Sequence, residues 1–198
     1  MVLLDQLISY IEENSEGYFL RGNLNDLEEL LNDLLSSSER LDLDSQKKLF
    51  LLSMSCYPLF SYLLDRDLNT IPTLLRYCLI SKCFFDFGTT ETPDEISDQV
   101  SELLEEAEEY WYENEEVGYR IFNLRESVLR NPSLDLAILE EEFHNTGDVG
   151  NISAILSNPN CPEEFLHQII SADHSIIFNN NPNEALIEEA KEILASRK

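Results

Sequence analysis

Val128-Leu129-Arg130-Asn131-Pro132-Ser133, Ile155-Leu156-Ser157-Asn158-Pro159-Asn160 and Ile177-Phe178-Asn179-Asn180-Asn181-Pro182-Asn183 are three versions of one signal in the last part of a 198-residue chain. In each, an apolar pair closes one helix, Asn-Pro makes a turn, and an apolar-periodic helix follows. Leu136, Ile138, Leu139 and Phe143 mark one such helix, and Phe165, Leu166, Ile169 and Ile170 another. Asparagine tolerates turn conformations, and proline has no amide hydrogen with which to continue a helix. The Asn-Pro pairs lie 27 and 23 residues apart. A two-helix unit of that length buries its apolar side only against the next unit, so the expectation is a stack.

The second unit, Asn158-Pro159-Asn160-Cys161-Pro162-Glu163-Glu164-Phe165-Leu166, resembles the leucine-rich repeat variant family, whose units read Asn-Pro-Asn-Thr-Pro-x-x-Leu-Leu. The resemblance covers roughly residues 119–198. It departs in the first unit, where Leu134 stands in the place of Cys161 and a longer loop runs through Gly147 and Gly150. It implies a short HEAT-like helical solenoid that presents side chains for interaction rather than chemistry.

Helical spacing continues toward the N-terminus, through Leu4, Leu7, Ile8 and Ile11 and then Leu27, Leu30, Leu31, Leu34 and Leu35. Asn25 with Glu28 reads as a capping arrangement for the second helix, and Asp44 or Ser45 as the cap of a third. Pro58 forces a break, and Pro72 suits the first turn of a helix that ends in Phe84, Phe85 and Phe87 before Gly88. Thr92, Pro93 and Glu95 then open a long helix ending near Gly118. No segment alternates apolar and polar residues as a strand does. The expected fold is all-α: a helical N-terminal part over 1–88, an acidic helix over 89–118 and a repeat part over 119–198, as one body or several.

Thirty-nine Asp and Glu against thirteen Lys and Arg leave a formal charge of −26. A field of that sign repels nucleic acid and anionic membranes and steers basic proteins toward the chain. The stretch Leu49 to Leu64 lacks charge but is too short to span a bilayer and contains Pro58. The N-terminus has no basic leader, and the four cysteines show no paired short spacing. The expectation is a cytoplasmic protein with no membrane and no direct nucleic-acid contact.

The charge is densest from Glu91 to Glu116, with twelve acids and no Lys or Arg. Ile96, Val100, Leu103, Leu104, Ala107 and Trp111 form an apolar stripe through it, so the segment reads as a docked helix with an acidic outer face. At about 1.5 Å per residue the acids recur every ~3.4 Å of axis, the charge spacing of one DNA strand. Asp98, Glu102, Glu105, Glu106, Glu109, Tyr112, Glu113 and Glu116 are the expected partner-binding residues. Arg120, Arg125 and Arg130 are the nearby cations that could neutralise part of this face from within.

His144, His167 and His174 have no metal-ligand spacing, and Cys78 and Cys83 fall on different sides of a helix. No phosphate loop, nucleophile elbow or calcium loop occurs. The expectation is a non-enzymatic protein with neither cofactor nor metal that binds a basic partner protein. In size and charge it is similar to acidic inhibitors of nucleic-acid-handling proteins and toxins, of the anti-restriction, anti-CRISPR and immunity types. The competing expectation is a helical-repeat scaffold or assembly subunit whose acidity serves solubility.

Overall fold

The computed structural model describes residues 2–16, 19–37, 41–84, 92–112, 124–179 and 181–197, with 16, 19 and 108–112 described by backbone alone. The chain is all-α, as the sequence predicts; its extended structure among these residues is a two-residue ladder, Ser15–Glu16 against Phe19–Leu20. Chain contacts divide it into two compact units, Met1–Leu124 and Arg125–Lys198. The boundaries expected near residues 88 and 118 lie outside the described residues.

The first unit holds α1 (Val2–Asn14), α2 (Leu24–Ser36), α3 (Leu43–Ser55), α4 (Tyr57–Leu64), α5 (Thr73–Cys83) and α6 (Asp94–Tyr112). Helices α1 and α2 pack on one another, and Leu4, Leu7 and Ile11 of the first and Leu27, Leu31 and Leu34 of the second, each set on one helical face, are buried. Burial of each such side chain contributes about 1.5–3 kcal/mol before chain entropy is counted. The turn between them depends on Gly22: a Cβ there would sit 2.6 Å from the Tyr10 hydroxyl and 2.9 Å from the Asn14 Cβ. That hydroxyl donates to the Asn23 carbonyl at 2.7 Å.

Two caps differ from the sequence reading. Asn23, not Asn25, caps α2 and accepts from the Asn25 amide, and Asp42, not Asp44 or Ser45, caps α3 and accepts from the Ser45 amide. Both sites offer several candidate oxygens within a few residues; the one that wins stands where the chain is still extended, with ψ of 121° at Asn23 and 171° at Asp42. Pro58 falls in the first turn of α4, where its missing amide is harmless, after α3 has ended at Ser55. Pro72 stands one residue earlier than expected, at the N-cap of α5.

Helix α5 packs against both α3 and α6 and is buried on nearly all sides, including Leu74, Leu75, Cys78, Leu79, Ile80 and Cys83. This explains how Cys78 and Cys83 can face different ways and both be core. Burial pushes the Cys78 thiol up to about 12.

The second unit begins at Arg125, one residue into α7 (residues 124–130), and continues through α8 (Leu136–Asn145), α9 (Val149–Ser157), α10 (Glu163–Ile170), α11 (Ser175–Phe178) and α12 (Glu184–Ser196). Asn131 and Asn158 make the same turn: Asn131 Oδ1 accepts the Ser133 amide at 2.9 Å, and Asn158 Oδ1 accepts the Asn160 amide at 2.8 Å. The two turns are joined. Asn158 Nδ2 donates to the carbonyls of Leu129 at 2.8 Å and of Asn131 at 2.9 Å, and Asn160 Nδ2 donates to Pro132. The third Asn-Pro does not repeat this. Asn181 is exposed, and the carbonyls of Asn158 and Cys161 receive the Arg197 guanidinium at 3.2 and 2.6 Å. The Phe143 and Phe165 rings stack at 4.0 Å and tie α8 to α10.

Candidate functional site

Two features of the described surface and interior bear on function: the acidic face of α6 and a buried polar cluster in the second unit. The α6 face follows from its period. Val100, Leu103 and Ala107 are buried, while Ile96 and Leu104 are half-buried. At about 100° per residue, those five fall within an arc of roughly 100°. Asp94, Glu95, Asp98, Glu102, Glu105 and Glu106 are all exposed and fall within the opposite ~120°. The acids therefore form an outward ridge, about 18 Å long over twelve residue steps.

Of the residues expected to bind a partner, Asp98, Glu102, Glu105 and Glu106 lie together on this ridge. Glu109 and Tyr112 belong to α6 by backbone, with side chains outside the described residues, as is the Trp111 side chain. Glu113 and Glu116 lie outside the described residues.

The ridge is electrostatically costly. Asp94 with Asp98, Asp98 with Glu102 and Glu102 with Glu106 are like charges four apart, each destabilising by a few tenths of a kcal/mol. Asp94 and Glu95 sit favourably at the positive end of the helix dipole, but no basic residue stands in its last turn. The described ion pairs are Arg125 with Glu142 at 3.3 Å, Arg130 with Glu126 at 3.0 Å and Lys191 with Glu188 at 3.3 Å. None involves α6. Two of the three arginines that the sequence offered for internal neutralisation are thus seated on other glutamates, and Arg120 lies outside the described residues.

Sequence reasoning missed the buried cluster. Glu142 on α8 is 2% exposed; its carboxylate meets Arg125 and accepts from Asn151 Nδ2 at 3.1 Å. Asn151 Nδ2 also reaches the Thr146 hydroxyl at 3.4 Å. Burial raises the Glu142 carboxyl above its usual range, and Arg125, Thr146 and Asn151 pull it back only in part. Nearby, His174 is buried, with Nδ1 accepting from the Ile177 amide at 3.3 Å and Nε2 against the Phe143 carbonyl. A proton on Nε2 satisfies both contacts. Each side chain of this group makes at least one hydrogen bond to a neighbour, while Asn151 Oδ1 is buried without one, so the group is a buried brace between helices that is satisfied in part.

The first unit also contains a cavity of about 550 Å³ lined by Leu34, Leu41, Gln46, Asn69, Ile71 and Thr73, among others. Among the described residues no three His, Cys, Asp or Glu side chains gather as metal ligands, and no helix is long and apolar enough to cross a membrane. Comparison with known proteins gives no matching family model, no matching curated protein and no matching solved structure.

Proposed function

We propose that this chain is a non-enzymatic binding protein of the cytoplasm whose α6 ridge engages a basic surface on a partner protein. The observation that carries this reading is the charge of the α6 ridge, which meets no cation among the described residues. Six exposed carboxylates stand opposite its buried stripe with no described cation upon them. Lysines and arginines of a partner would offset that repulsion and draw the two proteins together quickly at low salt. The four cysteines, all free and buried, suit a reducing compartment.

In its sharper form the partner handles nucleic acid, and this chain inhibits it by filling its groove. A helix with side chains is about 10–12 Å across, and a convex ridge of that width fits a groove better than a flat face. Six charges over about 18 Å give one per ~3.6 Å, near the ~3.4 Å of a single strand and about half the density of a duplex.

The second reading is a repeat scaffold, and it has its own observation. The Asn158 side chain joins its turn to that of Asn131, which is how stacked units of one repeat would be pinned in register. On that reading the solenoid resembling the leucine-rich repeat variant family supplies the binding surface, and the acids only solubilise it.

Salt separates the two. The full chain, immobilised and exposed to lysate of its source cell, should retain a basic nucleic-acid-handling protein and release it as the Debye length falls from ~10 Å at 0.1 M toward ~3 Å at 1 M salt. Retention only of neutral proteins that survive 1 M salt would replace the inhibitor reading with the scaffold.

A further inference from the structure

We draw no further inference here: the strongest candidate, the cavity between the end of α2, the start of α3 and the first turn of α5, has a described lining of apolar, hydroxyl and amide groups that selects no ligand chemistry, and residues 38–40, which join two of its walls, lie outside the described residues.

Discussion

Replacing Asn158 by Ala should undo the second unit out of proportion to the few atoms removed. The side chain is 0% exposed and makes three hydrogen bonds, two donated and one accepted. The Leu129 carbonyl suffers most. It stands at the end of α7, where the amide that would have reached it, that of Ser133, is turned to Asn131 Oδ1 instead. The Asn131 carbonyl keeps the Leu134 amide at 3.1 Å. Three bonds at about 1 kcal/mol each, with one carbonyl left buried and unpaired, come to ~3–5 kcal/mol. A unit of about 70 residues holds only ~4–10 kcal/mol in total. Asn160→Ala is the control, because its exposed side chain donates one bond, to Pro132, and its loss should cost under ~1 kcal/mol. Urea unfolding followed by circular dichroism, with hydrogen exchange of peptides from residues 125–198, reads both. If Asn158→Ala stays within about 1 kcal/mol of the parent, or Asn160→Ala costs as much, the joined turns do not hold the unit together.

Other outcomes follow from single positions. Ala172 holds φ of 58° after α10, with the Asp173 amide bonded to the Gln168 carbonyl and its own amide to Ile169, so Ala172→Gly should raise stability by about 0.5–1 kcal/mol in the same urea assay. Because burial raises the Glu142 carboxyl, the folded state holds that proton more tightly than the unfolded chain does. Its contribution is full below the unfolded value and declines as pH rises through the folded one. The parent should therefore lose stability relative to Glu142→Gln as pH climbs upward from the usual carboxylate range, and a difference that is flat or opposite in sign contradicts the assignment. Burial pushes the thiols of Cys78 and Cys161 up to about 12 and about 11, so neither should react with an aromatic disulfide at pH 8 until denaturant is added.

The helices and their inner faces were legible because apolar spacing is a direct record of burial: Leu4, Leu7 and Ile11, or Val100, Leu103 and Ala107, needed nothing else. The Asn-Pro turns were legible as turns, but their hydrogen bonding was not. Asn131, Asn158 and Asn181 look alike in sequence, yet the first two are buried and the third is exposed. Which asparagine joins a neighbouring turn depends on packing between elements, and the Asn158 carbonyl met Arg197, 39 residues along the chain. Glu142 hid in the run Glu140-Glu141-Glu142, which reads as a solvated face. Its position, with Ile138, Leu139 and Phe143, was the available signal that it points inward. The outward turn of the acids on α6 was readable from the same period, whereas the commitment of Arg125 to Glu142 depends on where α7 and α8 meet.

The α6 ridge can be tested without disturbing the core, since Glu102, Glu105 and Glu106 are exposed and repel one another or Asp98. The most direct measurement is paired capture from source-cell lysate by the parent chain and by the triple variant Glu102→Gln, Glu105→Gln, Glu106→Gln, with retained proteins quantified across a salt gradient. The triple variant should fold at least as stably as the parent, by circular dichroism, and should release the basic partner at clearly lower salt or fail to retain it. Equal retention at every salt concentration by a folded variant would contradict the claim that this ridge is the binding surface.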